Sequence, residues 1–169
     1  MRAALRSRRS APQPHPQLVG TLEAIFVTES GGAPMRRMDA IEAVVGIGLH
    51  GDRYSTHRGH WSPEDECQVT LVAGEVLDEI ATVHGVVVHD GQHRRNLVTR
   101  GVDLDRLTGR TFTIGVVEFA FDRPRPPCAY IASITDPAMT RALGARRGGL
   151  CARVLSGGAL RVGDPIALR

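Results

Sequence analysis

The sequence predicts a mostly β fold: an antiparallel or mixed barrel with two or three short helices. One observation is that short runs rich in β-branched and apolar residues recur along the 169-residue chain, each bounded by a glycine-rich turn. The other is that these runs do not alternate with helical segments, as strands do in a parallel doubly wound sheet. The length is that of one domain, and no internal repeat is visible.

The elements of the first half are predicted from local patterns. Residues 18–28, LVGTLEAIFVT, are largely apolar and β-branched and predict the first strand. A second β-prone run at 39–45 leads into GIGLHGDRY, whose glycines allow the backbone to approach a ligand closely. Residues 67–72 predict a further strand. The segment 74–84 then carries apolar residues at helical spacing, and Gly85 is predicted to end this helix.

The second half is predicted to contain mainly hairpins. Asp103 is a suitable N-cap for a short helical turn, and residues 110–121 alternate as two strands about a central glycine. The dipeptide Asp136-Pro137 is predicted to begin a second short helix. The closing segment 150–168 predicts a last hairpin whose turn is its glycine pair.

The first residues of the chain differ in composition from the rest. Residues 1–17, rich in Arg and Pro, are predicted to form a disordered tail ahead of a single domain at 18–169. The tail lacks the apolar run of about 7–15 residues that a secretion signal needs. Its four arginines exceed the formal net charge of +3, so the domain itself is near neutral. With aromatics at 4% and the excess positive charge in the tail, we expect no nucleic-acid partner.

Composition excludes several classes of protein. All 21 basic residues are arginine. A chain without lysine cannot form an aldimine with pyridoxal phosphate or supply the lysine of a phosphate-binding loop. No window approaches the ~18 apolar residues of a membrane span, so no membrane partner is expected. Three cysteines are too few for a disulfide framework and favour a reducing, cytoplasmic compartment. Of these, Cys67 and Cys151 lie in predicted strands and are interpreted as structural.

Cys128 is the strongest candidate for a chemically active residue. It ends the run RPRPPC, whose prolines fix the backbone and remove hydrogen-bond donors. Arg123 and Arg125 are expected to favour its thiolate, the form that attacks sulfur or ligates a soft transition metal. The alternative is that Cys128 is a small buried apolar residue, as many free cysteines are.

Two further clusters predict a site for an anionic ligand. The segment HRRNLVTRG and the loop GLHGDRYSTHRGHW both place guanidinium groups beside neutral hydrogen-bonding side chains, a combination suited to phosphate or carboxylate. Alternatively, each is a solvated surface segment. A competing hypothesis is a zinc site, for which the potential ligands are His50, His57, His60 and Cys67. Their spacing matches no common zinc motif.

Taken in order, five segments resemble the MOSC family, the fold of the C-terminal domain of molybdenum cofactor sulfurases. They are GLHGDRY, QVTLV, RRNLVTRGVDLDRLTGRTFTIG, RPRPPC and GGLCARVLSGGALRVGDPI. The resemblance extends from about Val19 to Leu168 and is specific as an ordered combination. It departs from the commoner family pattern at Tyr54, where a histidine often follows GDR, and at Cys151, so the substrate preference stays open.

The resemblance implies a MOSC-type β-barrel whose cleft holds a molybdopterin-type molybdenum cofactor. It assigns Cys128 as the catalytic residue and the protein ligand to molybdenum. The cofactor-binding residues that it implies, as donors to pterin and phosphate, are Arg53, Arg94, Arg95, Asn96, Thr99 and Arg125.

The resemblance also implies an activity and its partners. Similar proteins reduce N-hydroxylated small molecules, so an oxidoreductase of this kind is the leading hypothesis. The sequence has no cysteine-rich iron–sulfur motif and no dinucleotide fingerprint, and a separate electron-donor redox protein is therefore expected. The alternative is a sulfur carrier or cofactor carrier in which Cys128 bears a persulfide or holds the cofactor for delivery. A zinc-stabilised or non-enzymatic protein is the third hypothesis.

Overall fold

The computed structural model describes residues 17–64 and 67–169. The predicted tail lies outside the described residues apart from Gln17, which opens the first strand. The strands are β1 (Gln17–Val27), β2 (Arg36–Met38), β3 (Ala40–Val44), β4 (Gly48–Leu49), β5 (Val69–Ala73), β6 (Leu97–Arg100), β7 (Thr111–Ile114), β8 (Val117–Pro124), β9 (Leu150–Ser156), β10 (Gly158–Arg161) and β11 (Pro165–Leu168). The helices are α1 (Gly74–His84), α2 (Ala129–Ile134) and α3 (Met139–Ala142), with a 3-10 turn at Leu104–Leu107.

Seven of these strands form a closed barrel in the order β11-β7-β8-β9-β5-β6-β1. The antiparallel pairing of β1 with β11 closes it, and β2 extends the sheet beside β1. The pair β5–β6 is parallel, because α1 carries the chain back between these two strands. A smaller sheet, β10-β3-β4, lies outside the barrel order. The prediction of a mostly β barrel with two or three helices is confirmed.

Two apolar clusters stabilise this arrangement. The first fills the barrel and includes Phe112 and Phe119, which are fully buried with ring centroids 5.5 Å apart. The second lies under the helices, where Leu77 and Ile80 of α1 pack with Met139 of α3. Burying one side chain of this size contributes about 1.5–3 kcal/mol. No helix among the described residues is long and apolar enough to cross a membrane.

Most local predictions are confirmed, and one is wrong. Helix α1 ends at Gly85, which has the expected left-handed φ of 62°, and β7–β8 form the predicted hairpin. The closing segment is not a hairpin, because β9 pairs with β5 and β8 whereas β10 pairs with β3. The glycine pair instead lets the chain pass close to β3: a Cβ at Gly157 would lie 2.6 Å from the Ala43 carbonyl oxygen. Helix α2 was not predicted from the sequence.

Candidate functional site

An open cleft lies outside the barrel. Its walls come from the loop after β4, from the turn before β6 and from the proline-rich segment between β8 and α2. Five of the residues that the sequence predicts for the site line this one cleft: Arg53, Arg94, Arg95, Arg125 and Cys128. The structure therefore brings together segments that are far apart in the sequence.

The backbone around Cys128 is held by contacts on both sides of the residue. Its carbonyl oxygen accepts hydrogen bonds from the Thr140 hydroxyl and the Ile131 amide, both at 3.1 Å. Three residues earlier, the Arg125 amide donates to the Gly149 carbonyl at 2.8 Å. Cys128 is half-buried and directly precedes α2. These contacts fix a thiol at the wall of the cleft, as the rigid proline-rich run predicted.

Arg95 is the most deeply buried guanidinium at the cleft. Its Nε donates to the Gly148 carbonyl at 2.7 Å, and its Nη atoms donate to the carbonyls of His93 and Arg125, both at 3.3 Å. Burial lowers the pKa of Arg95 to about 10. Neutral carbonyl groups accept all of these hydrogen bonds and leave the positive charge of the buried guanidinium in place, which favours an anion nearby.

Arg94 and Arg53 add two more guanidinium groups beside Arg95. Arg94 donates to the Ala33 carbonyl at 2.5 Å, and Arg53 donates to the Arg94 carbonyl at 2.9 Å. Burial, and then the neighbouring Arg53, lower the pKa of Arg94. In the part of the chain that the structure describes, Asp52 is the one carboxylate paired with these three side chains, at 3.5 Å from Arg53. Within this described group, three guanidiniums therefore lie beside one carboxylate.

Asp52 also anchors the glycine-rich loop. Its Oδ1 accepts a hydrogen bond from the Thr28 amide at 3.0 Å, and its Oδ2 accepts one from the Tyr54 amide at 3.2 Å. The loop is thereby fixed to the end of β1, with Tyr54 and Arg53 directed towards the cleft. An aromatic surface stands beside them: His60 stacks on Tyr130 of α2, with ring centroids 3.5 Å apart. The sequence analysis did not identify Tyr130.

Asn96 and Thr99 do not line the cleft. The Asn96 side chain accepts hydrogen bonds from the Thr70 amide at 3.1 Å and hydroxyl at 2.9 Å, and it donates to the Phe26 carbonyl at 3.1 Å. The Thr99 hydroxyl contacts the Val72 carbonyl at 3.5 Å. These bonds hold β6 against its neighbours and so position the preceding arginines. The direct contact of both residues with a cofactor stays a prediction.

His93 is a buried residue that sequence reasoning missed. Its Nδ1 accepts a hydrogen bond from the Arg95 amide at 3.0 Å, and its Nε2 has no hydrogen-bond partner among residues 17–64 and 67–169. The ring lies edge-on to Phe26, with centroids 5.1 Å apart. Burial, and secondarily the charge of Arg95, lower the pKa of His93 to about 3. A neutral imidazole is therefore built into the base of the arginine cluster.

The buried state of His93 predicts a loss of stability in mild acid. The unfolded chain binds a proton at this residue below about pH 6.5, whereas the folded chain does so only near pH 3. The stabilising contribution is complete above pH 6.5 and falls by about 1.4 kcal/mol per pH unit towards pH 3. His93→Asn keeps an acceptor for the Arg95 amide. We expect its free energy of unfolding, measured with urea, to fall less steeply than that of the wild type as the pH is lowered from 6 to 4. His89→Asn is the control, because His89 is half-exposed. An equal dependence of the unfolding free energy on pH in wild type and His93→Asn would contradict this prediction.

The zinc hypothesis has no geometric support. In residues 17–64 and 67–169 there is no group of three or more His, Cys, Asp or Glu side chains placed to hold a metal ion. His60 is instead stacked on Tyr130, and the Cys67 thiol contacts the Val69 carbonyl at 3.4 Å.

Comparison with known proteins places the chain in a family. The MOSC domain model matches residues 54–167, which is more than half of the chain. The chain belongs to the MOSC domain family. Among solved structures, the YuaD protein from Bacillus subtilis is similar to this MOSC domain with a TM-score of 0.73 and 20% identity, over 88% of this chain and 94% of that one.

Two other solved structures share the fold. YiiM from Geobacillus stearothermophilus is similar with a TM-score of 0.63 and 18% identity, over 91% of this chain and 75% of that one. YiiM from Escherichia coli gives 0.63 and 16%, over 88% of this chain and 69% of that one. No curated protein matches the sequence. At these identities the structural likeness shows the fold alone.

Proposed function

We propose that this MOSC domain binds a molybdopterin-type cofactor in the cleft and reduces N-hydroxylated small molecules there. The observation that carries the proposal is the location of Cys128 on the same cleft as the buried guanidiniums of Arg53, Arg94 and Arg95. A thiol and an anion-binding surface are the two features that a phosphorylated, metal-bearing pterin requires from its protein. Membership of the MOSC family supports this assignment.

The residues present fit such a group in charge and donor type. Arg53, Arg94 and Arg125 are at the cleft as donors to a phosphate, and the buried Arg95 adds positive potential from behind. An anion bound here would offset the repulsion among these guanidiniums, which is one cause of the lowered pKa of Arg94. The Cys128 thiolate would be the protein ligand to the metal, since thiolates are strong ligands for transition metals.

The cofactor, when bound, supplies the two-electron reduction of the N–OH group. The reaction also consumes two protons and releases water, and the chain must deliver at least one proton at the cleft. The Tyr54 hydroxyl accepts a hydrogen bond from Arg53 Nη2 at 3.2 Å, which leaves its own proton free to donate to the leaving oxygen. The stacked pair His60–Tyr130 provides a flat surface against which a planar substrate would lie.

The proposal is tested by cofactor content followed by turnover. The protein is produced in a host that makes the molybdenum cofactor, and its molybdenum and oxidised-pterin content are measured per chain. We expect near-stoichiometric amounts of both. Reduction of a hydroxylamino heterocycle is then followed with a chemically reduced viologen as electron donor, since the physiological donor is expected to be a separate redox protein. Absence of molybdenum and pterin would refute the proposal.

A carrier function is the second candidate, and it is favoured by the half-buried Cys128 on an open cleft. A sulfur carrier needs an attackable cysteine and no electron donor. In that case the protein would contain a persulfide on Cys128, detectable by mass spectrometry as one added sulfur atom, and it would show no turnover with reduced viologen. Molybdenum and pterin without turnover would indicate a cofactor carrier.

A further inference from the structure

The tryptophan and tyrosine side chains of this protein are concentrated at the cleft that Cys128 lines. The sequence contains one tryptophan and two tyrosines, and all three line this cleft: Tyr54, Trp61 and Tyr130. The four phenylalanines, all within the described residues, lie outside it, and three of them are buried in the apolar clusters. Tryptophan and tyrosine combine a flat apolar ring with a polar edge, which suits a site that a ligand enters from water. The distribution therefore indicates that the cleft binds a ring.

Three neighbouring rings, those of His60, Trp61 and Tyr130, form an aromatic wall on this cleft. The His60 ring stacks on Tyr130, with centroids 3.5 Å apart and planes within 6° of each other. It is nearly perpendicular to the Trp61 ring, at 4.7 Å between centroids. Trp61 is 43% exposed. An indole ring that stays this exposed in a concave site is available for contact with the ring of a ligand.

The aromatic wall lies close to the Cys128 thiol. Tyr130 follows Cys128 by two residues, so their Cα atoms are at most about 7 Å apart. Ile131 and Ile134, from the same helix as Tyr130, also line the cleft and add apolar surface. The cleft therefore has a cationic part at its arginines and an aromatic, apolar part next to Cys128. A ring held by the second part would have its reactive group near the thiol.

We propose that Trp61 and Tyr130 are specificity-determining residues, which select N-hydroxylated substrates with a planar aromatic ring over substrates with a saturated ring of the same size. This inference rests on the proposed function. A flat ring gains a stacking contribution on an aromatic side chain in addition to the burial of its apolar area, whereas a puckered saturated ring gains the burial alone. The arginines are assigned to the cofactor, so the discrimination between the two kinds of ring comes from the aromatic wall.

Ligand binding is measured first, on full-length protein from the cofactor-producing host and without an electron donor, so that no turnover occurs. Trp61 is the only tryptophan of the chain, and its fluorescence therefore reports on the aromatic wall. Benzamidoxime and cyclohexanecarboxamidoxime carry the same N–OH group on an aromatic and on a saturated six-membered ring. We expect benzamidoxime to quench the fluorescence saturably and to bind about fivefold more tightly than the saturated compound. Tyr130→Phe should keep this preference and Tyr130→Leu should lose most of it.

Turnover with reduced viologen then tests the same selection in the reaction. In Trp61→Leu, we expect KM for benzamidoxime to rise about fivefold with kcat nearly unchanged, and the values for the saturated compound to stay within about twofold. Trp61→Phe keeps a ring and should keep most of the preference. Phe121→Leu is the control, because it removes a ring from a different groove.

The binding experiment keeps this inference separate from the proposed function. Preferential binding of benzamidoxime by a preparation without molybdenum would support the aromatic wall and refute only the reductase. Equal affinity of the wild type for the two compounds would overturn the inference, whatever the molybdenum content and without recourse to any variant. An unchanged preference in both Trp61→Leu and Tyr130→Leu would overturn it as well.

Discussion

Substitution of Cys128 by alanine is expected to abolish molybdenum binding by this MOSC domain while leaving the fold intact. Loss of a residue that only orients a metal ligand already costs 10–100-fold in affinity, so loss of the ligand itself should cost roughly 100-fold or more. Because Cys128 is half-buried and belongs to neither apolar cluster, the free energy of unfolding should change by less than about 1 kcal/mol. Elemental analysis and urea unfolding measure the two quantities.

The matched control for this experiment is Cys151→Ala. It removes the same chemical group from a buried position that does not line the cleft. We expect Cys151→Ala to retain molybdenum and pterin at wild-type levels when both proteins are isolated from the same host. Retention of molybdenum by Cys128→Ala would show that another group ligates the metal and would remove the thiol from the proposed mechanism.

Local sequence patterns predicted much of the fold, but they did not predict which distant strands pair with each other. The apolar run at 18–28, the helix at 74–84 and the hairpin about Gly115 are each specified by neighbouring residues, and all three are present. The prediction of a closing hairpin was wrong because a glycine pair indicates that the chain changes direction but does not specify which strand it pairs with. That partner was chosen by tertiary contacts with β3, which no local pattern encodes.

The parts of the site that lie within one short sequence motif were predicted, and the parts that combine residues distant in the sequence were missed. The proline run before Cys128 and the adjacent Arg94 and Arg95 are visible as short motifs, and the structure brings them to one cleft. Asn96 lies in the same motif as these arginines, yet its side chain is used within the barrel. The stack of His60 on Tyr130 joins distant segments, and no local pattern predicts it.

Gly149 is the residue at which a single methyl group is expected to be most damaging. Its φ is +85°, and an added Cβ would overlap the Leu71 carbonyl oxygen of the neighbouring strand. The left-handed conformation costs an alanine about 1 kcal/mol, and forcing the strands apart adds roughly 1–3 kcal/mol. We therefore expect Gly149→Ala to lower the free energy of unfolding by about 2–4 kcal/mol in urea titrations.

Gly109→Ala separates conformational strain from steric overlap. Gly109 also has a left-handed φ, +69°, but an added Cβ would meet nothing within 4 Å. This variant should therefore lose only about 1 kcal/mol. An equal loss in the two variants would show that β9 can move away from Leu71 without cost, which would contradict the close approach seen here.

The same substitution at Gly149 should also affect the cleft. The Gly149 carbonyl accepts the Arg125 amide, and the adjacent Gly148 carbonyl accepts the Arg95 guanidinium. Displacing this backbone moves the two arginines and the segment that carries Cys128. We expect Gly149→Ala to bind less molybdenum than Gly109→Ala under conditions where both proteins are folded. The turn into β9 thus couples the pairing of β5 with β9 to the geometry of the proposed cofactor site, and unchanged molybdenum in Gly149→Ala would show that the two are independent.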